Sequence, residues 1–540
     1  MKKQTKVLAT LSAAALLAVG FTAVSFASGW DNSTGAWQYL DSDGEPVTNE
    51  WKQSNGQYFY LGDDGNMVTD SLIEDNSQSK PKYYYVDANG ARVTNTWKAV
   101  ALDGDENTDR DAEYWWYYFG SDGKAYTIDA DKDLSKGRLK TINGLKYAFD
   151  DEGHMLYGWI NATDKDQQDD NKTAWQNSDY YFNGWNDGHA QNGWIKLEVE
   201  KDNGDIKNYW FYFEDGKKQK GKKNVNGKTY LLDENDGHML DDWGVLLTNS
   251  TVTSINGLNT TSQVRYLNGD GSVRKNKWVY AIPDEDYNVD GTNVNEDYGD
   301  DNYRWWYFNQ SGKLTSSTMK KINGKWYLFD QAGRMKVGFG VTESDSKDYK
   351  DAFDHDKYSY ADFTDGTVDR RVGGGDLYYF SSDEEKDGSR KTGYQTIELE
   401  DDKYQFYFDT KTGKAVTGYV SKIKKYTVNG LILKPSTDDD TNYVAISVGA
   451  GTDNKYATSD DVLGAFGTFT GDEAIGKVLV NKSGTIVKSK TKLKTSDDHY
   501  YVVDSKGIVV DYCDDEDQWK AHWSDKNSGS YIGAVADYIK

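Results

Sequence analysis

Aromatic and apolar residues in this chain fall at alternate positions in short bursts, and each burst closes on a polar, glycine-containing turn. The line "KINGKWYLFDQAGRMKVGF", residues 321–339, is one burst of many. Alternation such as Tyr58 with Tyr60, or Trp210 with Tyr212, gives a strand with one ringed face. The Asp-x-x-Gly that follows is read as the reversal of the chain, Asp through side-chain bonds to turn amides and Gly through its tolerance of positive φ. Further lines, "INGLKYAFDDEGHMLYGW" from 142 and "VNGKTYLLDENDGHMLDDW" from 225, align with the first on N-G-x-x-aromatic-x-apolar-D-x-x-G-x-Met, and shorter copies run from 35 to 419. Turn glycines Gly44 and Gly65, Gly216 and Gly237, and Gly312 and Gly333 lie 21 residues apart. A period of about 20 residues belongs to a solenoid. A lone hairpin is barely stable in water, so each unit needs a neighbour over its rings. The expectation is an all-β chain, an elongated β-solenoid of stacked β-hairpin repeats with acidic loop insertions.

The same pattern divides the chain. Residues 1–27 read as a secretory signal peptide, with Lys2, Lys3 and Lys6 ahead of an apolar run from Leu8 to Val24 and small residues before Ser28. Residues 28–433 hold the repeat array, 434–477 an irregular acidic insert, 478–513 degenerate terminal repeats, and 514–540 a tail in which short helices are expected. Insertions such as "ALDGDENTDRDAE" from 101, "IPDEDYNVDGTNVNEDYGDDN" from 282 and "TESDSKDYKDAFDHDKY" from 342 are expected to be solvated acidic loops. In "GAGTDNKYATSDDV" from 449, Asp453, Asp460 and Asp461 offer oxygens to a hard cation, which makes calcium the one cofactor the sequence admits.

Composition narrows the function. Hydrophobic content is 37% and mean hydropathy -0.84, too polar for one large core, yet aromatics reach 14%, which disordered chains lack. Removing the leader, with its three Lys and no acid, takes the net charge from -25 to -28. Such a surface is unsuited to nucleic acid or to electrostatic docking on anionic lipid. No second apolar stretch reaches about 18 residues, so no membrane span is expected, and the C-terminal "SYIGAVADYIK" has no LPxTG sequence or hydrophobic tail, so retention at a surface would be non-covalent. Cys513 is the only cysteine and has no His or basic residue adjacent in sequence, so it reads as a packing residue. His154, His189 and His238 all follow a turn glycine and read as equivalent turn positions. No HExxH, Gly-x-Ser-x-Gly or phosphate loop appears, and the array leaves no segment for a catalytic domain, so no enzyme is expected.

The repeat resembles the cell-wall-binding repeats of Gram-positive surface proteins, of the choline-binding, glucan-binding and clostridial-toxin types. The resemblance covers about residues 29–433 and continues weakly to 511. It implies a solenoid with ligands between successive units, held by a Gly-Trp tryptophan, hairpin aromatics and a methionine. Residue by residue, the Gly-Trp role falls on Trp30, Trp51, Trp97, Trp159, Trp194, Trp243 and Trp278. The hairpin role falls on Trp37, Tyr39, Tyr58, Tyr60, Trp116, Tyr118, Trp210, Tyr212, Trp305, Tyr307 and Trp326, and the methionine role on Met67, Met155, Met239 and Met335. Several ring faces select a quaternary ammonium, but they also stack on sugar. Choline-bearing teichoic acid and a glucan-like polysaccharide therefore both stand as polymers to bind. The alternative is a host-facing adhesin or spacer that meets a host protein or glycan through its acidic loops.

Overall fold

The computed structural model describes residues 28–77, 80–102, 113–165, 173–247, 251–253, 261–284, 287–289, 292–293, 303–381, 387–435, 442–447 and 468–534, with the backbone of a strand at Val7–Ala9. These residues form an all-β assembly of antiparallel hairpins with a few short helices. In one hairpin Glu50–Ser54 pairs with Gln57–Leu61, and Trp51 lies opposite Tyr60. The same pairing sets Trp30 opposite Tyr39, Trp97 opposite Tyr118, Trp194 opposite Tyr212 and Trp278 opposite Tyr307. The Trp strand and the ringed strand are thus the two arms of one unit.

The turn that closes these arms differs from the sequence expectation. Asn55 and Gly56 reverse the hairpin, both left-handed at φ 50° and 79°, and Asn143-Gly144, Asn226-Gly227 and Asn323-Gly324 repeat this. That is the turn whose twist matches paired strands, and Asn-Gly favours it. Asp-x-x-Gly makes a second reversal, after the ringed strand. In Asp87-Ala88-Asn89-Gly90 the Asp87 carboxylate accepts the amides of Asn89 at 2.8 Å and Ala91 at 3.0 Å, as the sequence predicts for the aspartate.

This second turn carries the link between units. The residue two positions after the turn glycine bridges back to its own ringed strand, as Met67 does to Leu61 and Arg92 to Val86. Its amide then donates to a carbonyl of the preceding hairpin: Met67 to Trp37 (2.7 Å), Arg92 to Tyr58 (2.8 Å), Met155 to Trp116 (2.8 Å), Met239 to Trp210 (2.7 Å) and Arg390 to Trp326 (2.8 Å). We call this position the slot. Its side chain lies over the turn glycine of the next hairpin, where a Cβ on Gly90 would sit 2.7 Å from the Met67 sulfur and one on Gly123 2.6 Å from Arg92 Nε. Glycine there answers both to positive φ and to this close approach.

The contacts divide the chain into two compact units, residues 1–254 with 267–273, and residues 255–266 with 274–540. The first is organised as small ring clusters between hairpins. The second holds a larger core around Phe339, Phe363, Phe406 and Leu431, each fully buried. Part of that core comes from the insertion that begins at 342, which is not a solvated loop. It forms the strand Tyr349–Phe353 and the helices Tyr360–Thr364 and Thr367–Val372, the first opened by a Ser359–Asp362 capping box. Its few apolar residues, Phe353, Phe363, Val368 and Val372, fall on the buried side and outweigh the acidic composition.

Toward the C-terminus, Tyr443–Ile446 lies between Thr468–Phe469 and Val478–Asn481, and Tyr500–Val503 lies between Lys490–Lys494 and Val509–Cys513. The tail contains the helix Glu516–Trp523, capped by Asp515 and pinned by Trp523 Nε1 donating to Asp511 at 2.6 Å. No described helix is long and apolar enough to cross a membrane.

Candidate binding seams

Each seam joins the Trp and ringed strands of one hairpin to a ring and the slot residue of the next. Around Trp97 the centroids of Tyr118, Tyr147 and Phe149 lie at 5.2, 4.9 and 5.8 Å, with Trp116 at 6.5 Å. Met155 fills the slot, and the cluster leaves Trp97, Trp116 and Tyr118 partly exposed. Around Trp278 the arrangement recurs: Tyr307, Tyr327 and Phe329 at 5.2, 4.8 and 5.6 Å, Trp305 at 6.1 Å, Met335 in the slot. Interplanar angles agree within several degrees, 68°, 65° and 30° against 62°, 68° and 28°. A third seam sets Trp194 against Tyr212 at 5.0 Å and Tyr230 at 4.7 Å, with Met239 bonded to Trp210. The Trp30 seam has the same plan, with Trp37, Tyr39, Phe59 and Met67. Burial pushes the Tyr147, Tyr307 and Tyr327 hydroxyls upward, so these rings are neutral phenols at physiological pH.

Such a seam packs tilted and edge-on rings, some of them partly exposed, and ring faces attract a cation through their quadrupoles. The cations nearby stay at the rim. Lys223 reaches only Tyr212, at 5.6 Å, and is tied to Glu214, while Lys320 reaches only Tyr307, at 5.9 Å.

Three seams of the same plan contain a basic side chain in the slot itself. The Arg92 guanidinium lies 4.1 Å from the Tyr58 centroid and 5.6 Å from those of Trp51 and Tyr84. Arg390 lies 5.4 Å from Trp326 and 5.7 Å from Tyr378. Lys218 lies 5.5 Å from Trp159, donates to the Trp175 carbonyl, and is 3% exposed. Burial lowers Arg390 and pushes Lys218 down to about 7, the cost of drawing a cation out of water. Nε of both Arg92 and Arg390 is buried without a hydrogen-bond partner, so the rings are what these guanidinium groups meet.

The structure therefore sorts the sequence-predicted residues. Trp97, Trp116, Tyr118 and Met155 come together, as do Trp194, Trp210, Tyr212 and Met239, and Trp278, Trp305, Tyr307 and Met335. Trp30, Trp37, Tyr39 and Met67 share the first seam. Trp51, Tyr58 and Tyr60 border Arg92, Trp159 borders Lys218, and Trp326 borders Arg390. Trp243 is 8% exposed, Tyr307 6% and Tyr60 2%, which leaves little face of these three rings for a ligand. Sequence reading missed Arg92, Lys218, Arg390 and the partner rings Tyr84, Tyr147, Tyr230 and Tyr327. The signal was available, since each of the three cations stands two residues after a turn glycine, where other units write Met.

The remaining polar groups are turn and packing devices. His154 bonds Asp150 at 2.8 Å and stacks on Trp115 at 4.1 Å, and His238 bonds Asp236 and stacks on Tyr209 at 4.4 Å. His189 bonds Asp187 at 2.8 Å. Asp453, Asp460 and Asp461 lie outside the described residues. Among those described, Asp233, Asp236 and His238, and Asp511, Cys513 and His522, each gather ligand atoms within 4.8 Å. The second group corrects one expectation: Cys513 does have a histidine beside it in space, His522 at 3.7 Å. The thiol is nevertheless pushed upward by burial and by Asp511, whose one oxygen accepts from Cys513, His522 and Trp523.

Comparison with known proteins identifies the repeat. Residues 47–97 match the choline-binding repeat, and residues 116–125 and 320–335 match the putative cell wall binding repeat. No curated protein sequence matches. Among solved structures, choline binding protein F of Streptococcus pneumoniae is similar at 17% identity over 75% of this chain and 98% of its own, with a TM-score of 0.30. CbpJ of Streptococcus pneumoniae is similar at 16% identity over 72% of this chain and 100% of its own, TM-score 0.28. The modular autolysin LytC of Streptococcus pneumoniae, solved with a synthetic peptidoglycan ligand, is similar at 17% over 59% of this chain and 54% of its own, TM-score 0.30. With two family models matched over these segments, the chain carries repeats of the cell-wall-binding, choline-binding type.

Proposed function

We propose that this is an exported, non-catalytic protein whose stacked hairpins form a solenoid and hold it non-covalently to a choline-bearing cell-wall polymer, such as teichoic acid. The open seams at Trp97, Trp194 and Trp278, together with the one at Trp30, are its binding sites. The observation that carries the reading is the Arg92 seam: a closely related arrangement of Trp and Tyr rings holds a cation over three ring faces. A site that accepts a guanidinium this way suits a trimethylammonium group, which needs ring faces and no hydrogen-bond acceptors. Stacking on a glucan would draw on the same rings but gives no reason for cations to occupy the seams. Each contact contributes about 0.5–2 kcal/mol, so single sites are weak, and a polymer that engages several at once is retained by effective concentration.

The test is retention of the chain on immobilised choline and on insoluble glucan, each challenged with free ligand. Elution by choline, and weaker retention of Trp97→Ala, is the expected result. Elution by glucan alone would move the rings to sugar stacking, and binding to neither, together with capture of a host protein, would favour the adhesin reading.

A further inference from the structure

The seam rings alone do not determine whether a seam is open. Trp51, Tyr58 and Tyr84 surround the Arg92 guanidinium as Trp97, Trp116 and Tyr147 pack around Met155. In both, the slot amide makes the same bond to the preceding hairpin, Arg92 to Tyr58 and Met155 to Trp116. The backbone is therefore indifferent to the slot side chain, while the side chain determines what lies against the rings. Arg92, Lys218 and Arg390 occur in three separate seams at this one position, and neither arginine forms an ion pair among the described residues.

We propose that the slot residue sets the valency of the array: Arg92, Lys218 and Arg390 are built-in ligands that hold their own seams against an external quaternary ammonium, and a slot Met leaves the seam open. This rests on the ammonium-binding reading above and adds which residues decide it. Met, unbranched and uncharged, lies along the next turn glycine and supplies a soft wall. A cation in the same place satisfies the ring faces before any ligand arrives, and an incoming ammonium would have to displace it against like charge.

The experiment counts bound choline per full-length chain by equilibrium dialysis for the unmodified protein, Arg92→Met, Arg390→Met and Met155→Arg, with near-UV circular dichroism to report tryptophan packing. The expected result is one additional choline for Arg92→Met and one fewer for Met155→Arg. A folded Arg92→Met with an unchanged count, while the unmodified protein binds choline, overturns the inference and leaves the ammonium reading standing. If the unmodified protein binds none and Arg92→Met binds one, the reading of the open seams fails and the inference stands. No choline on either overturns both. Should Arg92→Met fail to fold, Arg390→Met and Met155→Arg decide by the same counts.

Discussion

The Trp51 and Trp97 seams are built to one plan and end in opposite states. Both pair a Trp with a Tyr across a hairpin, both take a third ring from the next hairpin, and both are closed behind by a slot amide bonded to the preceding strand. They differ at the slot, Arg92 against Met155, and in two neighbours, Tyr58 against Trp116 and Val86 against Phe149; the first is filled with a guanidinium and the second is rings around a thioether. Aromatic content alone is thus a poor measure of how many ligands such an array can hold. On the reading proposed above, ring geometry supplies a cation site and the slot decides whose cation occupies it.

The largest effects should come from removing the tryptophans. Trp97→Ala and Trp51→Ala each strip a ring that touches the neighbouring hairpin and should each cost about 3 kcal/mol in a urea titration, but only the first should lower the count of bound choline. Equal loss of choline from both would erase the distinction between the seams. Next, Arg92→Pro deletes the amide that donates to Tyr58 and should cost about 2 kcal/mol, whereas Arg92→Met keeps that bond and should melt close to the unmodified chain. If the two melt alike, the link is not carried by the backbone.

A smaller effect separates Lys218 from the two arginines. Its folded-state value near 7 lies below the ordinary 10.5, so between about pH 7 and 10 the unfolded chain binds a proton that the folded chain does not. Stability then rises with pH across that window, by at most about 1.4 kcal/mol per pH unit. Lys218→Met should lack this rise, and denaturant midpoints at pH 7 and 9 would check it. The smallest change is expected for Lys320→Ala, which takes a cation from the rim of the Trp278 seam. Choline affinity should increase by no more than about threefold, measured as a titration of tryptophan fluorescence.

Much of this was legible in the chain before any coordinates. Alternating rings, turn glycines 21 residues apart and the Asp-x-x-Gly aspartates determine hairpins, and the Trp and Tyr positions named from the pattern do meet in seams at Trp97, Trp194 and Trp278. The less legible parts involve neighbours in space. Tyr147 is distant from Trp97 in sequence and reaches it only because hairpins stack, and Lys218 meets Trp159 the same way. The insertion from 342 misled because its acidic composition outnumbers Phe353, Phe363 and Val368, while burial depends on where apolar residues point and not on their share. Asp-x-x-Gly drew attention from the hairpin turn, which is written in the plainer Asn-Gly.

The link between units uses a main-chain amide, and this has a consequence for how such arrays are written. Ala125, Val273, Arg92 and Lys218 all make this bond, to Tyr83, Thr229, Tyr58 and Asp179 at 2.7–2.8 Å, so the slot can change its side chain without a copy losing its place. One residue cannot make the bond. The hairpin Gly29–Asp31 with Gln38–Leu40 carries Pro46 in its slot, bridged to Leu40 and packed over Gly65 like its counterparts, but with no proton to offer to anything before it. It can receive a following unit and cannot bond to a preceding one in this way. In the grammar of the array, proline at the slot acts as an initial capital, and moved to any later slot it would begin a new sentence where the old one should continue.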